Sequence, residues 1–303
     1  MVAVTLLSLL AAALGSWVNF RLNVTERFEK QMQVYYAAAG GIRYASVLVR
    51  LDPTGTYDGM QEEWMQMKDW VLLLQEGIRA DVGPGLSDEG RKLNLNSAPV
   101  PVLVQFFFSA GVDLDQARTI AESIVDWRDA DDKESSNGAE GSYYHSLESS
   151  YDCKNGPFEN IEELRLVRGV SAGVYRSLEP YVTVYGSGRV NLNTALSVVV
   201  EALGFSHEGV VGIDQFRSGE DSVPGNGDDR PFTSMAGLET DLEKFISKES
   251  LGHLRKLIAE KRLSVASAAF RCSVEAGDGD PTHLMRAITI IDRKGQVKLW
   301  TER

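Results

Sequence analysis

The first twenty residues of the chain carry no charged side chain and are mostly apolar. A helix of that length spans the hydrocarbon core of a bilayer, and Trp17 and Phe20 stand where interfacial aromatic residues are found. A secretory signal peptide is the competing interpretation, but such a peptide begins with a basic segment, which is lacking here. We therefore predict a transmembrane helix over residues 1–20.

The helical pattern continues beyond the apolar run. Apolar residues recur at intervals of seven at Phe28, Tyr35, Ile42 and Val49. The first proline of the chain is Pro53, in a turn-forming Asp-Pro-Thr-Gly sequence. These observations predict one helix of about fifty residues, about 75 Å long at a rise of 1.5 Å per residue.

Strand patterns occur near both ends of the remaining chain. On the early side we predict a short helix at 62–75, then a hairpin whose strands are 77–82 and 91–95. On the late side, alternation predicts three strands at 265–275, 283–292 and 296–301. Because a two-stranded hairpin is marginal alone, we expect the early and late strands to share one sheet against the long helix.

A short sequence occurs twice in the central part of the chain. Residues 91–98 read Arg-Lys-Leu-Asn-Leu-Asn-Ser-Ala, and residues 188–195 read Gly-Arg-Val-Asn-Leu-Asn-Thr-Ala. Farther on, Gly-Pro-Phe at 156–158 corresponds to Arg-Pro-Phe at 230–232. This repetition predicts two related helical modules. Helix-capping pairs are predicted at Asp113 with Gln116 and at Asn160 with Glu163.

Carboxylates crowd the long loop that follows the predicted helix ending near Asp126. Loops of about thirty residues are uncommon in compact domains and tend to be functional or disordered. Crowded carboxylates repel one another unless a cation lies among them, and Ca²⁺ prefers oxygen ligands. A bound calcium ion and a solvated acidic loop therefore both remain open. A second acidic loop at 220–229 is more typical of a solvated turn. The first loop also contains aromatic residues that offer apolar anchors: Tyr143, Tyr144, Tyr151 and Phe158.

Five short motifs in this region follow one another in a specific order. They are Asp-Trp-x-Asp-x-Asp at 126–131, Gly-Ala-Glu at 138–140, the tyrosines, Asn-Gly-Pro-Phe at 155–158, and Glu-Leu-Arg-Leu-Val-x-Gly at 163–169. Together they resemble the K-type minor pseudopilins (GspK) of bacterial type II secretion systems. The resemblance covers nearly the whole chain and is weakest between residues 207 and 263.

The resemblance implies an α+β fold. A long N-terminal helix would lead into a pilin-like α/β domain, interrupted by a large all-α insert of two related modules of helix-hairpin-helix or SAM-like type. The expected division is a transmembrane helix at 1–20, the pilin-like domain at 21–95 and 262–303, and the insert modules at 96–186 and 187–261.

The resemblance also implies a metal site, partners and a role. Asp129, Asp131 and Glu140 would bind Ca²⁺, with Asp132 as a fourth ligand. The expected protein is a structural subunit and not an enzyme, with no nucleic-acid or small-molecule partner. It would cap the pseudopilus tip and help initiate assembly with the I- and J-type minor pseudopilins. Its anchor would lie in the inner membrane and its folded part in the periplasm.

The N-terminus departs from the usual pilin pattern. Prepilins begin with a basic leader that ends in glycine, and most pilins carry a glutamate at mature position five. We expect Met1 to be a trimmed or misassigned start. Thr5 or an apolar neighbour would then occupy the place of the glutamate, a feature in which the chain resembles K-type pseudopilins.

Composition weighs against two other classes of function. With 43 acidic and 31 basic residues, the chain of 303 residues has a net charge of -12. That sign disfavours the alternative function, a membrane-tethered DNA-binding protein of the competence type, because phosphate binding needs a basic face. The four histidines are scattered, and no nucleophile or phosphate-loop motif supports an enzyme. The two cysteines, Cys153 and Cys272, have no metal-ligand spacing, and the sequence leaves their pairing open.

Overall fold

About the first fifty residues of the chain form one continuous helix. The computed structural model describes residues 2–66, 71–73, 77–82 and 86–302, with the side chains of Leu72 and Leu73 excepted. Helix α1 runs from Val2 to Leu51, which confirms the predicted length. It is long and apolar enough to cross a membrane, and its most apolar window of 18 residues is unburied.

The second half of α1 packs on a β-sheet. Its buried positions follow a helical repeat: Val34, Ala37, Ala38, Gly41, Ile42, Ala45 and Val49. Gly41 lies so close to the sheet that a Cβ atom there would be 3.2 Å from Val274 Cγ1. Small residues on this face therefore let the helix backbone approach the strands closely.

The sheet consists of early and late segments of the chain. Its strands are β1 (Val71–Leu73), β2 (Arg79–Asp81), β3 (Leu86–Asp88), β8 (Ala269–Gly277), β9 (Met285–Asp292) and β10 (Val297–Glu302). The order is β1-β2-β8-β9-β10, with β3 also paired to β8, and all pairs are antiparallel. The three predicted late strands are confirmed with small shifts of their bounds.

The predicted early hairpin is wrong. Strands β2 and β3 do not pair with each other, because β8 has nine residues and one of its edges accommodates both. β2 pairs at 275–277 and β3 at 270–272. The second predicted hairpin strand, at 91–95, contains β4 (Leu93–Asn94), which pairs in parallel with β5 (Val182–Thr183) outside this sheet. The glycine-rich turn at 83–85 lies outside the described residues.

The predicted helix at 62–75 is also wrong in its described part. Residues 62–66 form turns, and β1 begins at Val71. The carboxylate of Glu62 accepts hydrogen bonds from the Gly59 amide at 2.9 Å and from the Trp64 indole at 3.1 Å. These bonds favour a turn over a helix in this segment. Residues 67–70 and 74–76 lie outside the described part of the chain.

Between β3 and β8 the chain is mainly helical and has its own core. Its helices are α2 (Val100–Ser109), α3 (Leu114–Arg128), α4 (Gly141–His145), α5 (Ala172–Leu178), α6 (Ser197–Ala202), α7 (His207–Arg217), α8 (Leu238–Leu242) and α9 (Lys248–Ala259). The same region contains two short pairs of parallel strands: β4 with β5, and β6 (Val190–Asn191) with β7 (Leu263–Ser264). Cys153 packs against this core and Cys272 lies in the sheet core, and both are free thiols.

The two copies of the repeated sequence make the same contacts. The Asn96 side chain bonds to both the amide and the carbonyl of Phe158, at 2.8 and 2.9 Å. Asn193 does the same with Phe232, at 2.7 and 3.0 Å. In each copy an arginine from the second helix, Arg128 or Arg217, donates to the carbonyl after the first asparagine. The repeat therefore extends from sequence to buried hydrogen bonds.

Both predicted N-cap residues are confirmed, but only one of the two predicted capping pairs forms, because the Gln116 side chain donates to the Gly169 carbonyl at 3.1 Å. The Asp113 carboxylate accepts the amide of Asp115 at 3.0 Å, and Asn160 forms a capping box with Glu163. Gly111 has a φ of +86°, as expected of the residue that ends a helix. Because the amides that begin α3 already bond a carboxylate, they are poorly placed to hold a phosphate.

Candidate functional site

The acidic loop folds back on the end of α3. The buried Asp126 carboxylate accepts the Ser135 amide at 3.0 Å and the Ser135 hydroxyl at 2.5 Å. A Cβ atom at Gly138 would collide with the same carboxylate. The Gly138 carbonyl accepts a hydrogen bond from Arg168 at 2.7 Å. Asp126 thus serves as a structural anchor at the helix end.

Aromatic side chains hold the rest of the loop, as the sequence predicts. Tyr144 is fully buried, and its ring centre lies 5.2 Å from that of Trp127 and 5.4 Å from that of Tyr151. Phe158 is also buried, 6.4 Å from Trp127 between ring centres. These aromatic contacts anchor the loop, whereas its tip at 131–134 and residues 136–137, 145–146 and 148–150 are exposed.

Glu140 is the most unusual of the four predicted metal ligands. It is 3% exposed, and among the described residues no nitrogen or hydroxyl group donates to its carboxylate. Burial raises the pKa of Glu140, a weak hydrogen bond from the Cys153 thiol lowers it, and the carboxylates of Asp126 and Asp129 raise it further. A buried carboxylate without donors is costly unless a proton or a cation compensates it.

Asp129 shares this environment. Its Oδ1 atom is buried and lacks a partner. Burial raises the pKa of Asp129, followed by the effects of Asp131 and Asp126. Both carboxylates therefore present buried oxygen atoms, but among the described residues no three of the four predicted ligands place carboxylate oxygens within 4.8 Å of one another.

The remaining predicted ligands lie at the exposed edge of the loop. Asp131 accepts the amide of Lys133 at 2.9 Å. Asp132 accepts the Asn155 side-chain amide at 2.7 Å. Asn155 has a φ of +47°, and its Oδ1 atom is buried without a partner. Sequence reasoning missed Asn155 as a candidate ligand, although its place before Gly156 marks a turn.

The second acidic loop uses its carboxylates to bond its own backbone. Asp228 accepts the amides of Glu220 at 2.7 Å and Asp221 at 3.2 Å. Asp229 accepts the Gly225 amide at 2.7 Å. These contacts are those of a hydrogen-bonded turn, which agrees with the interpretation favoured from the sequence.

A different group of acids lies where the sheet meets the helical region. In the part of the chain that the structure describes, Asp52, Asp58 and Glu62 place three carboxylate oxygens within 4.8 Å of one another. Arg293 contacts Asp58 and lies 3.1 Å from Asp52. We call these four residues the junction cluster. This cluster was not predicted from the sequence, because Arg293 is more than 200 positions away from the acids.

The junction cluster connects the sheet to the repeat. Asp58 also accepts the Ser267 amide at 2.5 Å, and the backbone carbonyl of Asp58 accepts the Asn191 side-chain amide at 3.1 Å. Asn191 donates as well to the fully buried Asp88 at 2.8 Å. The second asparagine-rich motif therefore serves both as a module opening and as the polar contact to the sheet.

Burial raises the pKa of Asp58 to about 6 and that of Glu62 to about 7. A raised carboxyl pKa means that the folded state binds more protons than the unfolded state between the two pKa values. The contribution of Glu62 to stability therefore falls as pH rises from its ordinary value near 4.5 to about 7.

We expect Glu62→Gln to become more favourable relative to the native chain as pH increases. A pKa shift of this size corresponds to at most about 3 kcal/mol. Chemical denaturation of the full chain in detergent at pH 5 and pH 8 measures this difference. Glu63→Gln, at the exposed neighbouring position, is the control. An equal pH dependence of Glu62→Gln and the native chain would contradict the expectation.

The sequence similarity of this chain to a known protein family lies mainly in the helical region. The family model for type II secretion system (T2SS), protein K, matches residues 85–187. Type II secretion system protein K of Pectobacterium carotovorum subsp. carotovorum is 36% identical over 98 residues, which cover 32% of this chain and 30% of that protein. The putative type II secretion system protein K of Escherichia coli (strain K12) is 26% identical over 203 residues, or 62% and 61% of the two chains. The chain thus spans less than two thirds of these relatives.

The fold agrees over a longer stretch. A chain in the crystal structure of the GspK-GspI-GspJ complex from the enterotoxigenic Escherichia coli type 2 secretion system superposes with a TM-score of 0.72 at 19% identity. The match covers 93% of this chain and 99% of the other. The chain is therefore similar in sequence to type II secretion system protein K over part of its length, and similar in fold to a chain of the GspK-GspI-GspJ complex over nearly all of it.

Proposed function

We propose that this protein is a minor pseudopilin of the type II secretion system, with a structural and non-catalytic role. Agreement of fold across nearly the whole chain with a component of the GspK-GspI-GspJ complex carries this proposal. The exposed apolar half of α1 supports an anchor in the inner membrane, with the sheet and the helical region in the periplasm.

We further propose that the fold is a pilin-like α/β domain interrupted by two related helical modules. The duplicated asparagine contacts of Asn96 and Asn193 support this division. The first module would open at β4 and close at β5, and the second would open at β6 and close at β7. Each module would then be one βα unit closed by a short parallel strand pair.

The proposed partners are the I- and J-type minor pseudopilins, in a complex at the tip of the pseudopilus. A pilin shaft packs its subunits around a core of N-terminal helices and leaves each globular part a limited sector. The helical region from residue 89 to 268 adds a second core to the sheet domain. A subunit of that bulk fits best where no neighbour lies above it.

Calcium is the proposed structural cofactor of the acidic loop. The proposed ligands are Asp129, Asp131, Asp132 and Glu140, and Asn155 joins them because its oxygen is buried without a donor. Glu140 and Asp129 would contribute the buried oxygens, and the others would close the exposed side. An ion at this position would supply the positive charge that the unpartnered oxygens lack.

Co-expression tests the proposed partnership. The full chain should co-purify in detergent with the I- and J-type minor pseudopilins of its own organism. Recovery of the chain without either protein would remove the basis for the proposed role. The same preparation yields the complex required for the binding experiments below.

The tip position predicts where the protein is found on filaments. Gold-labelled antibody raised against residues 96–261 should mark filament ends, because a subunit with no neighbour above it is present once per assembly. Deletion of the gene should reduce the number of filaments more than their length. Antibody against the major pseudopilin, as control, should label the shaft. Label of the first antibody along the shaft would contradict the tip position.

A further inference from the structure

A groove runs along the outer side of the sheet domain, between α1 and the turn that joins β9 to β10. It has a volume of about 850 Å³. The residues that define it here are Tyr36, Gly40, Arg43, Arg50, Lys294 and Trp300. Tyr36, Gly40, Arg43 and Arg50 lie beside the face of α1 that is buried on the sheet, and Ile42 of that face lines the bottom of the groove.

The charge of the groove is opposite to that of the chain. Arg43, Arg50 and Lys294 are exposed, and within the described structure their side chains form no ion pair or hydrogen bond. No aspartate or glutamate is among the described residues that line the groove. In a protein with a net charge of -12, three unpaired cations in one groove favour an anionic partner.

Gly40 provides a second, independent observation. Glycine in the middle of a helix is less stable than alanine. At Gly41 the close packing on the sheet accounts for the glycine, because a Cβ atom there would contact Val274. For Gly40 no described residue lies within 4 Å of a Cβ atom, so the described part of the chain does not explain a glycine there. Close approach by the backbone of another molecule would account for a glycine at this position.

We propose that this groove is the docking surface for a helix of a neighbouring pilin-like subunit that presents carboxylates to Arg43, Arg50 and Lys294 and packs closely over Gly40. The inference rests on the proposed function and assigns the partner to one surface of the chain. Tyr36 and Trp300 at the rim supply the aromatic contact area typical of protein interfaces.

Two other occupants fit less well. A second copy of this chain would present its own α1, which between residues 21 and 51 carries five basic and two acidic residues and would meet like charge. Lipid headgroups are remote, because Arg43 lies 22 residues beyond Arg21, or about 33 Å along the helix.

A pair of glycine variants tests the close approach. Gly252 is the matched control, since it lies exposed within α9 and also has nothing within 4 Å of a Cβ atom. Both Gly40→Ala and Gly252→Ala should raise the melting temperature of the full chain, by about 2 to 4 °C. Only Gly40→Ala should weaken binding of the detergent-solubilised chain to the purified I-type and J-type pseudopilins, by about tenfold or more.

A charge reversal tests the anionic partner. Arg43→Glu should weaken the same binding by about tenfold or more at low salt, and the difference should shrink as salt screens the charges. Lys244→Glu, at an exposed position of the helical region, should leave the affinity unchanged.

The outcomes separate this inference from the proposed function. If the native chain binds neither pseudopilin, the proposed partnership fails. If the native chain binds and both groove variants bind equally well, the partnership stands and the groove is not the docking surface. Self-association of the chain alone, lost in Arg43→Glu, would assign the groove to a second copy and overturn the proposal.

Discussion

Replacing Glu89 by alanine is expected to lower the unfolding free energy by about 3 to 5 kcal/mol. Glu89 is fully buried, and its carboxylate accepts hydrogen bonds from the Lys92 ammonium at 2.7 Å and from the Arg271 guanidinium at 2.8 Å. It also contacts the hydroxyl of Thr183. These three partners belong to its own turn, to the sheet and to the helical region. The variant would therefore leave cations uncompensated at the contact between two cores.

The pH dependence of this group has the opposite sign to that of Glu62. Although burial alone would raise the pKa of Glu89, Lys92 and Arg271 lower it overall. A lowered carboxyl pKa contributes stability that is present above the ordinary value near 4.5 and is lost as pH falls below it. The cost of Glu89→Ala should therefore be larger at pH 7 than at pH 4.

Denaturant unfolding of the full chain in detergent measures the Glu89→Ala effect. The double variant Glu89→Ala with Lys92→Met should recover part of the loss, because it removes one of the buried charges left unpaired. Glu260→Ala removes an exposed partner 3.9 Å from Lys256 and should cost less than about 0.5 kcal/mol. A cost for Glu89→Ala as small as that of the control would contradict the role assigned to this carboxylate.

The elements most accessible to sequence reasoning were those with a long, regular pattern. The helix Val2–Leu51 and strands β8 to β10 were predicted because their apolar residues repeat over many positions. The early strands are three residues each and give no periodicity to read. The pairing of β2 and β3 depends on β8, almost two hundred residues away, so the local glycine-rich turn wrongly indicated a hairpin between 77–82 and 91–95.

The candidate site was also only partly accessible from the sequence. The family resemblance suggested Asp129 and Glu140 as ligands, which stays a prediction, and the structure adds that Asp129 Oδ1 and both Glu140 oxygens are buried. Asn155 and the junction cluster were missed, because each joins segments distant in sequence. The asparagine repeat was read as a module opening, and only the fold gives Asn191 its second role as a contact to Asp58 and Asp88.

Removal of calcium is expected to have the second large effect. If an ion occupies the acidic loop at about one hundred times its dissociation constant, it stabilises the fold by about 2.7 kcal/mol, which corresponds to about 5 °C in melting temperature for a chain of this length. A chelator should therefore lower the melting temperature of the full chain by about that amount. It should also increase protease cleavage between residues 135 and 150, because the buried carboxylates would repel one another without the ion.

Variants of two proposed ligands, together with a control variant in the same loop, test whether the chelator effect arises in this loop. Glu140→Gln and Asp131→Ala should each reproduce the loss of melting temperature and make the protein insensitive to the chelator, since each removes a proposed ligand. Glu148→Gln changes an exposed carboxylate of the same loop and should behave like the native chain. Added Ca²⁺ should restore the native chain and the Glu148 variant but not the Glu140 variant. A native chain whose melting temperature and cleavage pattern do not respond to chelation would exclude a structural calcium ion, and Glu140 would then keep its buried position by holding a proton.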